Sequence, residues 1–249
     1  MKLSRPSVTQ CTGLAFRMDL PAKKSQGSDW VVWQLVDSFF PTGGFAHSYG
    51  LEAAVQAGLV SDSKSLDTFI KSTLENSGSL LLPFVSASFK LPDVAGWIEL
   101  DRLLNATLSN HVARRASSSQ GSALLRTAAT VYPDLAELGE LRGVVRAGRA
   151  SGHHAGVFGI VCGLLKLDAL TCQRAYLYLT LRDVLSAATR LNLVGPLQAA
   201  AMQQSLRGFG EAVVRKCADR GVEDACQVSP LLDTAQACHD HLFSRLFCS

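Results

Sequence analysis

Apolar residues recur at helical spacing along most of this chain. One regular series alternates steps of four and three residues and forms a seam for packing against another helix: Leu177, Leu181, Val184, Ala188 and Leu191. We find no segment with the convincing pattern of a strand and no hairpin turn pair. The pattern therefore predicts an all-α protein, a single-domain bundle of about eight to ten helices.

The first 28 residues depart from this pattern. They lack sustained periodicity and contain Pro6 and Pro21 among serine, glycine and lysine clusters. From Asp29 onward the helical spacing is sustained, and Asp29 is a plausible N-cap. We therefore predict a flexible arm over residues 1–28 and a helical domain over residues 29–249.

Four glycines punctuate the apolar segment 151–165. Residues 152, 156, 159 and 163 are glycine, separated by steps of four, three and four. In a helix this spacing places them on one stripe, where a neighbouring backbone can come close. Because the remaining sides are apolar too, we expect this helix to be buried nearly all round.

A last helix is predicted to begin at Ser229 and Pro230 and to continue through Leu246. Chain ends are usually polar, but this one carries a run of apolar side chains: Leu242, Phe243, Leu246 and Phe247. They could dock on the chain's own core or be captured by a partner. We favour capture, because Arg245 would suit a groove.

The stretch from Phe40 to Glu52 concentrates unusual chemistry. It holds three glycines, a proline, several aromatic residues and His47 within thirteen residues. Pro41 and the Gly43–Gly44 pair break regular structure, and helical spacing follows at once. The stretch is therefore interpreted either as an active-site loop or as a surface that another protein contacts.

Residues 46–50 differ at one position from the G-x-S-x-G nucleophile elbow of serine hydrolases, with Ser48 as the nucleophile. Asp168 or Asp233, and then His239, follow in the order that hydrolases use. The elbow requires a strand entering the turn, and none is indicated here. A hydrolase is therefore the alternative, and the interpretation that we adopt is a protein without catalytic residues, not an enzyme.

Two histidine clusters are candidate nickel ligands. His153 and His154 are adjacent, so in a helix their side chains diverge by about 100°. Cys238 and His241 have i, i+3 spacing, but a metal site would need two further ligands. We expect no metal site and no cofactor, and keep a nickel-carrying metallochaperone as an alternative.

Composition excludes several classes of function. The net charge of +3 in 249 residues is too mild to indicate nucleic-acid binding. The longest uncharged stretch, 150–165, is too short and too rich in glycine to span a membrane. The chain lacks the G-x-x-x-x-G-K-[ST] loop of nucleotide hydrolases. Seven cysteines, an odd number without C-x-x-C spacing, are typical of reduced thiols in a cytoplasmic protein.

Four blocks in order resemble the UreF family of urease accessory proteins. The first is the stretch 41–52 itself. The second is Gly152-His153-His154 with 157–159, the third runs from Ala175-Tyr176 through 186–191, and the fourth is 244–249. The resemblance covers about residues 30–249. It departs from the family mildly at Ala46 and His47, where relatives often carry serine and tyrosine.

The resemblance implies an all-helical, non-catalytic scaffold that tends to dimerise. It would join a UreD/UreH-type accessory protein and a UreG-type GTPase to apo-urease, into which nickel is inserted. The resemblance also implies that the C-terminal segment becomes ordered on the UreD/UreH-type protein. We expect seven residues to bind partners: Phe45, His47, Tyr49, Glu52, Arg245, Leu246 and Phe247.

Overall fold

The structure, a computed structural model, describes residues 28–91 and 93–249. These residues form no strand and twelve α-helices, so the all-α prediction is confirmed and the count of eight to ten is wrong. The helices are α1 (Ser28–Val36), α2 (Leu51–Gln56), α3 (Ser63–Leu80), α4 (Leu82–Phe89), α5 (Val94–Thr107), α6 (His111–Val131), α7 (Ala136–Arg146), α8 (His154–Leu164), α9 (Ala169–Arg190), α10 (Pro196–Ser205), α11 (Arg207–Cys217) and α12 (Pro230–Ala237). Three short 3₁₀ turns accompany them, at Gly44–Ala46, Val222–Asp224 and Cys238–His241.

Breaks in the helical backbone explain part of the higher number of helices. Leu81 separates α3 from α4, where Pro83 occupies the first turn of the new helix. Proline has no N–H and cannot continue a preceding helix, but it suits a helix start. Leu206 likewise separates α10 from α11, just before Gly208 and Gly210.

Polar side chains set several helix starts. The Asp62 carboxylate accepts the Ser65 N–H at 2.7 Å, and Ser65 bonds back to the Asp62 backbone, forming a capping box for α3. The Asn110 side chain accepts N–H groups at the start of α6, and the Asp168 side chain accepts the Thr171 N–H at the start of α9. Each such cap contributes about 1 kcal/mol, so these boundaries are encoded locally.

Helix α8 lies at the centre of the bundle, between α4 and α6. Its residues 154–162 are all buried. A Cβ on Gly163 would lie 2.5 Å from the Phe89 carbonyl oxygen, and one on Gly159 would overlap the Val85 carbonyl oxygen. Gly159 and Gly163 therefore allow α4 to pack backbone against backbone, as the sequence predicts. Gly152 does not belong to this helical stripe, because it precedes α8 and has φ 69°.

The C-terminal helix is shorter than the sequence predicts. α12 ends at Ala237, the turn Cys238–His241 follows, and residues 242–249 are not helical. The prediction of a helix through Leu246 is therefore wrong. The reason is that main-chain N–H groups of this segment bond to distant residues instead of to carbonyls one turn earlier.

Among the described residues, no helix is long and apolar enough to cross a membrane. The predicted arm of residues 1–28 falls, apart from Ser28, outside the described residues. The division into an arm and a domain stays a prediction.

The signature turn and the docked tail as a candidate partner-binding site

Residues 40–52, here called the signature turn, connect α1 to α2 through two left-handed glycines. Gly43 has φ 77° and Gly50 has φ 82°, a region that L-residues with side chains adopt at a cost. A Cβ on Gly50 would also lie 2.9 Å from the Gln236 Cβ of α12. The glycines therefore hold the turn in a shape that brings it against both α9 and α12.

The last eight residues, 242–249, here called the tail, dock on the signature turn through main-chain hydrogen bonds. The Ser48 N–H donates to the Ser249 main-chain oxygen at 2.7 Å, and the Cys248 N–H donates to the Ala46 oxygen at 2.7 Å. The Ser48 hydroxyl donates to the same Ser249 oxygen at 2.7 Å. His47 Nδ1 lies 2.8 Å from the Ser249 hydroxyl. The tail is thus fixed in register along the turn.

Glu52 anchors the middle of the tail, although its carboxylate is almost fully buried (2% exposed). Oε1 accepts the Leu246 N–H at 2.6 Å, and Oε2 accepts the Phe247 N–H at 3.1 Å. The His239 Nε2 lies 3.1 Å from Oε2. A buried carboxylate is costly unless hydrogen bonds compensate its lost hydration, and three groups do so here. Glu52 therefore couples α2 to the tail.

Two arginines of α9 complete the anchoring. The Arg190 guanidinium lies 4.3 Å from the centroid of the Phe247 ring, and it also donates to the Phe45 carbonyl oxygen. The Arg182 guanidinium lies 4.6 Å from the centroid of the Phe45 ring. Stacking of this kind contributes roughly 0.5–2 kcal/mol per pair. Helix α9, which includes neither the turn nor the tail, therefore holds both of them in place.

The seven residues expected to bind partners meet at the junction where the tail docks on the signature turn. They form an inner, buried or half-buried layer and an outer, exposed layer. His47, Glu52 and Phe247 are buried, whereas Phe45 and Tyr49 are half-buried. Arg245 and Leu246 are exposed, and beside them Phe243 is fully exposed. Arg245 makes one long contact, 3.4 Å to Asp240. The outer side of the tail is therefore available to a partner, and partner binding by these residues stays a prediction.

Burial shifts the ionisation of the inner layer. Burial, together with the nearby His239 and Arg115, lowers the pKa of His47 to about 4. Burial, and then the Asp183 carboxylate, raises the pKa of Tyr49 well above its usual value. Burial also lowers the pKa of His154 to about 4. The rings of His47, His154 and Tyr49 are therefore uncharged at neutral pH.

The α9 arginines and Ser249 belong to the site but are not predicted from the sequence. Arg182 and Arg190 lie more than 130 residues from the turn that they contact. Nothing in the local sequence distinguishes them, because α9 also carries Gln173, Arg174 and Asp183 and Arg190 is its last residue. Ser249 could not be foreseen, since its role depends on where the tail folds back.

The candidate catalytic residues are not assembled into a triad. The Ser48 hydroxyl is fully buried and bonds to Ser249, and its turn enters a helix without a preceding strand. His239 bonds to Glu52, and the Asp168 side chain caps α9. The geometry of a nucleophile elbow is therefore missing at Ser48.

The candidate metal ligands His153 and His154 contact different partners. His153 bonds to Asn105 at 3.1 Å, while the His154 ring stacks 5.3 Å from the ring of Tyr176. Over residues 28–91 and 93–249, no group of three or more histidine, cysteine, aspartate or glutamate side chains is placed to hold a metal ion.

Fold and site together define an all-helical protein in which a glycine-rich turn holds the C-terminal segment. The family model UreF matches residues 60–207 of the chain. The chain is 54% identical to the urease accessory protein F of Oryza sativa subsp. japonica over 92% of its own length and 88% of the rice protein. It is 53% identical to that of Arabidopsis thaliana (92% and 95%), and 36% identical to the urease accessory protein UreF of Paenarthrobacter aurescens (strain TC1) (87% and 96%).

The chain belongs to the UreF family of urease accessory proteins, and the resemblance noted in the sequence is confirmed.

Proposed function

We propose that this protein acts in urease maturation as a non-catalytic scaffold of the cytoplasm. It joins a UreD/UreH-type accessory protein and a UreG-type GTPase to apo-urease, and it works as a homodimer within that complex. Nickel is the cargo of the complex and is not a resident cofactor of this chain. Family membership and the names of the relatives support the proposal.

The conformation of the tail is the observation that supports the contact surface in this proposal. Its inner side is fixed by Glu52 and by the α9 arginines, while Arg245, Leu246 and Phe243 face outward. An arginine beside exposed apolar side chains on a preorganised backbone is the composition of interface hot spots. The UreD/UreH-type protein therefore contacts the outer side of the tail.

Capture by an immobilised UreD/UreH-type partner tests this. Truncation after Leu242 should abolish capture while circular dichroism still shows a helical protein. Arg245→Ala should weaken capture by roughly tenfold, since hot-spot truncations cost about 1.4 kcal/mol or more. Arg146→Ala removes another exposed arginine, on α7, and serves as the matched control. Unchanged capture by the truncated protein would refute the assignment.

A further inference from the structure

A serine, an arginine and a cysteine converge on the last turn of α3. Cys226 is exposed in the segment between the turn Val222–Asp224 and α12. Its N–H donates to the Ser79 main-chain oxygen at 3.3 Å. Its sulfur lies 3.4 Å from the Ser79 hydroxyl and 3.7 Å from Nη2 of Arg220. The sulfur is therefore fixed beside a hydroxyl and a permanent cation.

The hydrogen bonds around Ser79 determine the direction in which its hydroxyl proton points. Arg220 Nη1 donates to the Ser79 hydroxyl oxygen at 2.7 Å, which leaves the serine proton free to point at the sulfur. Both neighbours therefore stabilise a negative charge on sulfur. The Ser79 hydroxyl and then Arg220 lower the pKa of Cys226 below its usual value. Cys238 is also exposed, but it has no side-chain hydrogen bond within the described part of the chain.

A second thiol lies against the same arginine. Cys217, the last residue of α11, is buried, and a Cβ on Gly78 would lie 3.4 Å from its sulfur. The sulfurs of both Cys226 and Cys217 act on Arg220 and raise its pKa. Two free thiols thus share one guanidinium next to consecutive residues of α3. One thiol is exposed and the other is buried.

We propose that Cys226 is a peroxide-sensitive thiol and that Cys217 is its resolving partner. The Cys226 thiolate attacks hydrogen peroxide, so that an S–O bond forms, the O–O bond breaks and hydroxide leaves. The Cys217 thiol then attacks the sulfenic sulfur. An S–S bond forms, the S–O bond breaks, and water leaves with the thiol proton. In sum, two thiols are oxidised to a disulfide and one peroxide is reduced to two waters.

Competitive alkylation of the full-length protein tests the first step. With iodoacetamide at pH 7, Cys226 should react roughly fivefold faster than Cys238, because thiolate fraction governs the rate. Arg220→Gln should bring the two rates to within about twofold of each other. Arg215→Gln, which alters an exposed arginine of α11, should leave the ratio unchanged. Equal rates in the unmodified protein would overturn the proposal.

Peptide mapping after one equivalent of hydrogen peroxide tests the second step. A Cys217–Cys226 disulfide should form before any other thiol is oxidised. Cys217→Ser should trap a sulfenic acid at Cys226 that dimedone labels, and Cys226→Ser should abolish both products. A sulfenic acid at Cys226 without the disulfide in the unmodified protein would overturn the role of Cys217. Oxidation that begins at another cysteine would overturn the role of Cys226.

Discussion

Replacing Glu52 by glutamine should release the tail while leaving the helices folded. The amide keeps one acceptor oxygen, which can serve the Leu246 N–H, but its NH₂ group cannot accept the Phe247 N–H. The change therefore removes one charge-assisted hydrogen bond, now 3.1 Å long, and weakens the other, now 2.6 Å long. Hydrogen bonds to charged groups contribute about 1.5–3 kcal/mol each, so we expect docking to weaken by about 2 kcal/mol.

Trypsin provides the assay, because the peptide bond after Arg245 is the bond whose nitrogen donates to Glu52. Cleavage there requires the tail to leave the turn, so its rate follows the population of the released state. A loss of about 2 kcal/mol corresponds to a roughly 30-fold faster cleavage. Thermal unfolding followed by circular dichroism should change little by comparison.

The matched control is Glu75→Gln, since Glu75 is an exposed acid on α3. It should leave cleavage after Arg245 within about twofold of the unmodified protein, as surface substitutions usually have small effects. Equal cleavage rates in Glu52→Gln and in the control would show that the carboxylate does not hold the tail. Early cleavage throughout the chain would show instead that the variant unfolds globally.

Three further substitution experiments test the core and the junction. Gly159→Ala on α8 should destabilise the fold by about 1–3 kcal/mol in urea unfolding, because the new methyl group meets the backbone of α4, whereas Gly139→Ala has open space and should stabilise by up to about 1 kcal/mol. His47 and His154 have pKa values of about 4 when folded and 6.5 when unfolded, so between these pH values the unfolded chain binds more protons and stability falls as pH falls. Each contributes a slope of about 1.2 kcal/mol per pH unit at pH 5. His47→Gln should remove one such slope, and an unchanged slope would contradict the burial argument. Phe247→Ala removes the buried ring of the tail and should accelerate cleavage in the trypsin assay, whereas protection equal to that of the unmodified protein would contradict its anchoring role.

The parts of the fold that follow from local pattern could be predicted. The seam of α9 and the positions of Gly159 and Gly163 on α8 both depend on residues within a few turns of each other. The helical spacing that directly follows Gly43 and Gly44 corresponds instead to the 3₁₀ turn Gly44–Ala46 and the short α2. Tyr49 and Gly50 both have positive φ there, which interrupts helical backbone between the two elements.

The tail could not be predicted in the same way. Its apolar spacing favours a helix, but its main chain bonds to Ala46, Ser48 and Glu52, about 200 residues earlier. Such contacts leave no trace in local periodicity. The unusual composition of the signature turn singles it out in the sequence. Nothing in the sequence indicates that the hydrogen-bond partners of its buried Glu52 belong to the same chain.

The Glu52 variant also separates two ways in which a partner could engage the tail. A partner that contacts the outer side of the tail binds only while the tail is docked. A variant that releases the tail therefore lowers the population of the binding-competent state and weakens capture. A partner that pulls the tail away must itself compensate the buried carboxylate or leave it uncompensated, at a cost of about 3–5 kcal/mol. For that partner, Glu52→Gln lowers the cost of release and strengthens capture. Because the inner side is held by Glu52 and Arg190 while Arg245 and Leu246 already face outward, we expect weaker capture.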